Sequence, residues 1–430
     1  MISSGCSGYG FSSSARRAVI ATAMVLAVVG GSLAAAPVAS AVAAPAPAPR
    51  AVPEATPAPP SCRPPSDADA RTGGRTGRVA PPDGAALSAA IAGLPAPHTT
   101  AALARVGGGG SWQGSAGVRD LRSGRPALPE GRFRAGSTTK VFVAAVVLQL
   151  AAEGKISLDA TARSYLPELI PPAYGAVTVR QLLNHTHGIP AAGLPGATPE
   201  EAYAHRFDRH DPRELVRRAT ARPPEFRPGT CQRYHNTGYT IAGLLIERVT
   251  GESYEAQVTR RILKPLGLRD SYLPDGEVHI RGPHNRGYQS LRTGDGTSIE
   301  LRDVTRWDPT DGWAAGDLIS TTADLERFIT ALFQGRVVRG PLLEEMFTLP
   351  KVTDHQTGAP ASFSVGLSVQ RLGGRDVWGK TGGRYGYNTV VAATRDLSRT
   401  LVYSVHATDA KAKDLNPVAG ALAVAAFGRP

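Results

Sequence analysis

Apolar and polar positions along the chain fall into short periodic stretches that predict both helices and strands. The strongest apolar run, Val141-Phe142-Val143-Ala144-Ala145-Val146-Val147-Leu148, predicts a buried helix that begins near Ser137. Further helices are predicted over residues 240–249, where Gly251 is a stop signal, and over residues 419–427. Runs of β-type residues predict strands at 112–118, around 133, and at 363–369, 389–393 and 400–405.

The order of these elements predicts an α+β body with two lobes. Strand-type segments lie near both ends of the body, in residues of about 85–155 and 303–430, and would form a sheet lobe. The residues between them, about 156–302, are rich in Pro and His and mostly helical in pattern, which predicts a helical insertion lobe. Two such lobes are expected to leave a cleft between them, and the cleft is the expected active site.

The first 84 residues differ in composition from the body. Residues 1–43 have the pattern of a signal peptide, because Arg16 and Arg17 precede an apolar stretch over 18–33 and small residues follow it. Residues 44–84 are rich in Pro and Ala, which predicts a semi-rigid linker. We therefore expect a secreted protein, extracellular or associated with the cell wall, that keeps no membrane anchor after the signal is cleaved.

The three cysteines acquire a pattern once the signal peptide is removed. Cleavage would remove Cys6 and leave Cys62 and Cys231, an even number of cysteines in an oxidising compartment. We predict a disulfide between Cys62 and Cys231, which would hold the linker beside the segment that contains Tyr234. The alternative is two unpaired thiols.

Composition and charge exclude several classes of protein. The chain is 42% hydrophobic and 20% charged, which excludes wholesale disorder. The net charge of +12 comes from scattered basic residues with no run of five, so no nucleic-acid partner is expected. His185 with His187, and His205 with His210, lack a third ligand at metal spacing, so neither a metal nor a cofactor is expected.

The sequence Ser137-Thr138-Thr139-Lys140 stands at the start of the predicted apolar helix. A spacing of three residues places the hydroxyl and the amine on one helix face, about one turn apart. A buried lysine with a depressed pKa can take the proton of a serine, and the helix N-terminus offers backbone donors to an oxyanion. The alternative is a serine that caps the helix beside an ordinary surface lysine, and this segment alone favours that alternative.

Two later clusters change how this segment is interpreted. Tyr234-His235-Asn236 lies in the middle of the chain, and Lys380-Thr381-Gly382 precedes a predicted strand. In this order and spacing the three clusters resemble the active-site motifs of the penicillin-recognising serine hydrolases. The chain is most similar to class C β-lactamases, D-alanyl-D-alanine carboxypeptidases of the same fold and related esterases, whose second motif is Tyr-x-Asn. The resemblance covers roughly residues 85–425 and includes the segments 153–159 and 177–190.

The resemblance implies a β-lactamase/transpeptidase-like fold, an antiparallel sheet flanked by helices with an all-helical insertion lobe. It also implies that Ser137 attacks a carbonyl carbon and forms an acyl-enzyme. Lys140 and Tyr234 would share the transferred proton, with the pKa of Tyr234 lowered by its position between Lys140 and Lys380. Which of the two is the formal base stays open at this point, because strongly coupled groups titrate together.

The same resemblance assigns the groups that bind the substrate. Asn236 would orient the catalytic lysine and hydrogen-bond the substrate amide. Lys380 and Thr381 would bind a substrate carboxylate. The backbone N–H groups of Ser137 and Gly383 would form the oxyanion hole, in which losing one donor typically costs about 2.7–4 kcal/mol.

One position departs from the pattern of the family. Ser or Thr often follows Lys-Thr-Gly, whereas this chain has Gly383 there. The backbone donor survives, but the extra hydroxyl for a substrate carboxylate is lost. Arg384 and Asn388 are candidates to replace that contact.

The resemblance leads to three alternative functions. The first is an exported serine hydrolase of the D-alanyl-D-alanine carboxypeptidase or transpeptidase type, which acts on a peptidoglycan-type peptide or another small acyl substrate. The second is a class C-type β-lactamase or a carboxylesterase that uses the same site. The third is a catalytically silent protein that binds penicillin or the cell wall. We expect a monomer in each case.

Overall fold

The computed structural model describes residues 79–194, 196–294 and 296–428. Its helices are α1 Gly84–Ile91, α2 Thr139–Ala152, α3 Ala162–Tyr165, α4 Val179–Leu183, α5 Pro199–Ala204, α6 Pro212–Thr220, α7 Thr237–Thr250, α8 Tyr254–Val258, α9 Lys264–Leu266, α10 Thr322–Phe333, α11 Pro341–Glu344 and α12 Pro417–Phe427. Its strands are β1 Thr99–Gly107, β2 Trp112–Gly117, β3 Phe133–Arg134, β4 Cys231–Gln232, β5 Tyr288–Arg292, β6 Ile299–Asp303, β7 Ile319–Ser320, β8 Thr353–Asp354, β9 Ser368–Leu372, β10 Arg375–Arg384, β11 Tyr387–Thr394 and β12 Thr400–Ala407.

An antiparallel sheet in the order β2-β1-β12-β11-β10-β9 forms the centre of the sheet lobe. Strands from both ends of the body meet in it, because β1 pairs with β12. Strand β9 pairs with β10 only from Arg375 to Gly379. Residues 380–384 of β10 therefore have no strand partner on that side among the described residues, and this edge faces a cleft. The expected α+β fold with an antiparallel sheet is confirmed.

Helix α2 lies in the middle of the molecule and is buried on nearly all sides. Its residues from Thr139 to Leu148 are all buried, and the ring of Phe142 stacks on that of Phe328 in α10, with 3.6 Å between the ring centres. A helix that is apolar all round is typical of one surrounded by other elements. The start of α2 is consequently a firmly held platform.

A second, smaller core lies on the opposite face of the sheet. Leu87 and Ile91 of α1 and Leu422 of α12 pack there against sheet residues that include Val390 and Tyr403. The two terminal helices thus cover a sheet face that would otherwise expose apolar side chains, as their composition predicts.

The helical lobe contains α3 to α9, but it is not all-helical, because the two-residue strand β4 and the strands β5 and β6 also lie in it. Strands β5 and β6 form an antiparallel hairpin there, from Tyr288 paired with Asp303 to Arg292 paired with Ile299. The sequence Thr293-Gly294-Asp295-Gly296 between them is a strong turn signal, because glycine and aspartate accept the backbone angles of hairpin turns.

Element boundaries differ from the predicted ones by a few residues. The helix predicted over 240–249 is α7, which begins at Thr237 and ends at Thr250, and Gly251 caps it with a φ of 71°, as the stop signal requires. The strand predicted over 363–369 is displaced, since β9 begins at Ser368. The strands predicted at 112–118, 389–393 and 400–405 correspond to β2, β11 and β12.

Several predictions fall on the N-terminal region. The signal peptide over 1–43, most of the linker over 44–84 and Cys62 lie outside the described residues, so they stay predictions. Cys231 is buried at the start of β4 and takes part in a disulfide bond, and its pairing with Cys62 likewise stays a prediction. Among residues 79–194, 196–294 and 296–428, no helix combines the length and apolar character needed to cross a membrane.

Candidate active site

The nucleophile motif lies in a tight turn between β3 and α2. Gly136 has a φ of 55°, which favours glycine, and it opens a short 3-10 turn that runs to Thr138. Ser137 is half-buried in this turn, whereas Lys140 in the first turn of α2 is fully buried. The alternative of a capping serine beside a surface lysine is therefore wrong.

The amine of Lys140 has three oxygen neighbours. Its Nζ lies 3.1 Å from Ser137 Oγ, 2.8 Å from Asn236 Oδ1 and 2.6 Å from the carbonyl oxygen of Ala315. Burial, and then the positive charges of Lys380 and Lys411, hold the pKa of Lys140 well below its usual value of 10.5. A neutral amine has two N–H donors and one lone pair. If the Asn236 and Ala315 oxygens accept the two donors, the lone pair faces the hydroxyl of Ser137.

Tyr234 contacts the nucleophile from the other side. Its hydroxyl donates to Ser137 Oγ at 2.8 Å. The amines of Lys140 and Lys380 lie 5.0 Å and 4.8 Å from the centre of the Tyr234 ring, so the predicted position between two lysines is correct. The predicted lowering of the pKa of Tyr234 is wrong: burial raises that pKa, and only the hydrogen bond to Ser137 opposes the rise.

The two lysines do not lower the pKa of Tyr234 because burial makes both of them lose their protons more readily. Burial lowers the pKa of Lys380 to about 7, and the pKa of Lys140 is also depressed, so near neutral pH the pair carries less positive charge than two ordinary lysines. The phenol of Tyr234 thus stays protonated, and Lys140 is the better base. These shifts favour Lys140 over Tyr234 as the base, a choice that the sequence leaves open.

The predicted oxyanion hole requires the backbone of β10 to lie against the nucleophile turn. A Cβ atom placed on Gly136 would lie 2.8 Å from the backbone nitrogen of Gly383, and one placed on Gly382 would lie 3.3 Å from that of Ser137. The two backbone segments are therefore in close contact. Ser137 and Gly383 both line the cleft, so this contact is compatible with the predicted oxyanion hole.

The cleft has a volume of about 800 Å³. The predicted site residues on its wall are Ser137, Tyr234, Asn236, Lys380, Thr381 and Gly383, with Lys140 buried beneath them. The structure thus brings together every residue that the three motifs assign to the site. The two that are farthest apart in the sequence, Ser137 and Gly383, are separated by 246 positions.

Three functional groups were missed or left open by sequence reasoning. The carbonyl of Ala315 has no side-chain signature at all. Lys411, in the loop after β12, donates to the carbonyl of Gly383 at 2.9 Å, and burial together with the charge of Arg384 lowers its pKa to about 8. Arg384 lines the cleft and pairs with Asp311 at 2.7 Å. Of the two candidates to replace the lost hydroxyl, Arg384 is well placed.

The other candidate, Asn388, has a structural contact instead. Its amide donates to the carbonyl of Ala410 at 3.0 Å, and it is not among the residues that line the cleft. A lone asparagine near a motif gives no information about which face of a strand it occupies.

The histidines of the middle segment support the site from behind. His185 has a left-handed φ of 62°, and its ring centre lies 4.4 Å from that of Tyr234. Burial and the nearby positive charges hold its pKa well below the usual value, so it is neutral. His187 accepts from the backbone N–H of Ile189 at 2.9 Å. Within the described ranges, no group of three or more His, Cys, Asp or Glu side chains is arranged to hold a metal ion.

Comparison with known proteins places this geometry in a family. The model of the family described as Beta-lactamase matches residues 87–425. A D-stereospecific amidohydrolase from Streptomyces sp. is 34% identical, with a TM-score of 0.68 over 78% of this chain and 97% of that one. A D-amino acid amidase from Ochrobactrum anthropi SV3 is 24% identical with a TM-score of 0.66, over 79% of this chain and 97% of that one, and shows the fold alone.

Among curated relatives, Esterase EstB from Burkholderia gladioli is 33% identical over 196 residues, which is 43% of this chain and 50% of that one. The chain spans about half the length of the curated relatives it matches. The family model nevertheless covers most of the chain, and it agrees with the resemblance carried by the three motifs. The chain belongs to the Beta-lactamase family.

Proposed function

We propose that the protein hydrolyses amides and esters with a D-configured acyl group, through an acyl-enzyme on Ser137. The observation that carries the acyl-enzyme is the contact of Ser137 Oγ with a buried lysine amine at 3.1 Å and a tyrosine hydroxyl at 2.8 Å. The preference for the D configuration is supported by the Streptomyces D-stereospecific amidohydrolase, of which this chain covers 97%.

The reaction follows from the protonation states of the site. Neutral Lys140 takes the proton of Ser137 as Oγ attacks the carbonyl carbon, and the N–H groups of Ser137 and Gly383 stabilise the resulting oxyanion. Tyr234 donates its proton to the leaving nitrogen or oxygen as that bond breaks, and the Lys140 ammonium then returns a proton to Tyr234. Water attacks the acyl-enzyme with the same groups in the same roles, releasing the acid and restoring Ser137.

A carboxypeptidase acting on D-alanyl-D-alanine peptides is the second candidate, and the cations of the cleft favour it. Lys380, Arg384 and Lys411 lie along one wall beyond Ser137, where they could bind the free carboxylate of a leaving D-alanine. Under this proposal the partner is a peptidoglycan-type peptide outside the cell. Export itself is proposed from the sequence pattern of residues 1–43.

A matched set of substrates tests both candidates. The mature protein is incubated with D- and L-phenylalanine amide, their methyl esters, an acylated D-alanyl-D-alanine peptide and a penicillin, while the adduct on Ser137 is followed by mass. Faster turnover of the D-amide and D-ester supports the first proposal. Turnover of the peptide alone supports the carboxypeptidase, and rapid penicillin turnover identifies a β-lactamase.

Variants control this experiment. Ser137→Ala should lower kcat by about 10⁶-fold or to the limit of detection, because it removes the nucleophile. Ser123→Ala changes an exposed serine in a turn and should leave kcat unchanged. Equal rates on D- and L-substrates would contradict the proposed stereochemistry, and no adduct or turnover with any substrate would leave a silent binding protein.

A further inference from the structure

The carbonyl of Ala315, which approaches Lys140 at 2.6 Å, belongs to a turn that its own sequence does not favour. The turn begins with Trp313, whose φ of 36° lies in the left-handed region, where a bulky side chain is rare. Trp313 is also the first residue of a short 3-10 segment, Trp313–Ala315. Asp317 closes the turn by donating its N–H to the carbonyl of Trp313 at 3.1 Å. Such a backbone persists only when surrounding groups hold it.

The first two residues of α8 hold both ends of this turn. The indole Nε1 of Trp313 donates to Glu255 Oε1 at 3.0 Å. The hydroxyl of Tyr254 donates to the carboxyl of Asp317, and the Tyr254 ring meets the Trp313 ring edge-on with 4.8 Å between centres. One helix start therefore fixes the residue two before and the residue two after Ala315.

We propose that Tyr254 and Glu255 are positioning residues, which hold the Ala315 carbonyl against the amine of Lys140 through Asp317 and Trp313. Neither residue lines the cleft, so neither can touch the substrate there. They act on the reaction through the carbonyl oxygen of Ala315, which accepts an N–H of Lys140 and so keeps the lone pair of that amine directed at Ser137. The proposal rests on the acyl-enzyme chemistry of the proposed function and not on the substrate's configuration.

The contacts of Tyr254 and Glu255 with Asp317 and Trp313, called the clamp below, involve buried carboxyl groups rather than apolar packing alone. Glu255 is half-buried, and burial together with Glu247 of α7 and Asp275 raises its pKa to about 7. Asp317 is buried, with a pKa raised by burial and by Glu255, although the hydrogen bond from Tyr254 and the charge of Arg384 oppose the rise. Two carboxyl groups in such surroundings are costly, and apolar residues would fill the same space at lower cost.

On the side opposite α8, helix α7 packs so closely against the turn that the turn cannot move toward α7. A Cβ atom on Gly243 of α7 would lie 2.8 Å from the Trp313 ring and 2.5 Å from the Cβ of Ala314. Helix α7 begins next to Asn236, the second acceptor of the Lys140 amine. Loss of the clamp is thus expected to displace Trp313 away from α7 and to move the Ala315 carbonyl with it.

Pre-steady-state acylation of the full chain by a chromogenic ester tests the proposal. Glu255→Ala should slow acylation about tenfold or more, since misplacement of a catalytic group by about 1 Å can cost 10²-fold. Glu255→Gln keeps an oxygen acceptor for the indole and should stay within about twofold of the wild type. Trp313→Phe removes the donor and should match Glu255→Ala, and the double variant should be no slower than either single one.

A second pair of variants separates positioning from stability. Tyr254→Phe should slow acylation, whereas Tyr288→Phe, which removes a tyrosine hydroxyl from Asp120, should lower Tm without slowing acylation, because neither Tyr288 nor Asp120 lines the cleft. Normal acylation by Glu255→Ala at temperatures well below its Tm would overturn the proposal. Additive effects in the double variant, or a loss in Glu255→Gln as large as in Glu255→Ala, would overturn it too. If the wild type forms no adduct, the proposed function fails instead.

Discussion

At the scale of single residues, burial decides which groups of the site carry a proton. Lys140 and Tyr234 contact the same oxygen, Ser137 Oγ, yet burial moves their pKa values in opposite directions. An amine loses its proton more readily in a dry site, and a phenol keeps it. Burial therefore favours the neutral amine of Lys140 and the neutral phenol of Tyr234, which is the pairing of base and acid that acyl transfer needs.

The pH dependence of acylation should report the charge near Lys140. Lys411 has a pKa of about 8, so below that pH it is positively charged and lowers the pKa of Lys140. Lys411→Met removes the charge, which raises the pKa of Lys140. The acidic limb of kcat/KM should consequently move to higher pH, and kcat/KM at a pH on that limb should fall. The exposed Lys351, which does not line the cleft, is the control, and Lys351→Met should leave the limb in place. A limb that moves to lower pH in Lys411→Met would contradict the assignment of Lys140 as base.

At the scale of elements, the site depends on how closely β10 approaches the turn before α2. Gly136 and Gly382 lie at this contact, and a Cβ atom on either glycine would overlap the backbone of the other segment. Glycine is required here by space, and at Gly136 also by a φ of 55°. The Lys-Thr-Gly motif is thus a packing requirement as much as a chemical one.

Gly382→Ala tests this contact. Its Cβ would meet the carbonyl group of Ala135, a backbone atom that can move only with the nucleophile turn. We expect kcat/KM to fall about 10²-fold, because Ser137 and the oxyanion donors would separate. Gly294→Ala, where a Cβ meets open space, should leave kcat/KM unchanged. Unchanged kcat/KM in Gly382→Ala would show that the turn adapts without loss of the oxyanion hole.

The elements also show what the sequence could predict. The spacing from Ser137 to Lys140 is local, so the helix and its chemistry could be inferred directly. The Ala315 carbonyl could not, because a backbone atom has no signature and its position depends on contacts from Glu255, 60 residues earlier. The pKa of Tyr234 was predicted with the wrong sign because burial, unlike sequence order, is a property of the folded chain.

At the scale of the whole molecule, Arg134, three residues before the nucleophile, joins the two lobes. Its guanidinium donates to the carbonyl of Val278 at 2.7 Å, and to those of Thr305 and Trp307 at 3.0 Å and 3.1 Å. Val278 belongs to the helical lobe, whereas Thr305 and Trp307 lie just after that lobe ends in the sequence. Arg134 is buried, and burial lowers its pKa to about 10, so it stays charged at neutral pH. Its hydrogen bonds to backbone carbonyls stabilise this charge, which makes the arrangement sensitive to loss of any of them.

Arg134→Met should therefore destabilise the fold more than other arginine substitutions. Hydrogen bonds to charged groups contribute about 1.5–3 kcal/mol each, so we expect the free energy of unfolding in urea to fall by at least about 2 kcal/mol. Arg327→Met removes an exposed arginine that also donates to a carbonyl, that of Gly267 at 2.9 Å, and should change the free energy by no more than about 0.5 kcal/mol. Because Arg134 stands three residues before Ser137, the variant should also lose activity before it unfolds. Equal free-energy changes in the two variants would mean that the lobes are held together elsewhere.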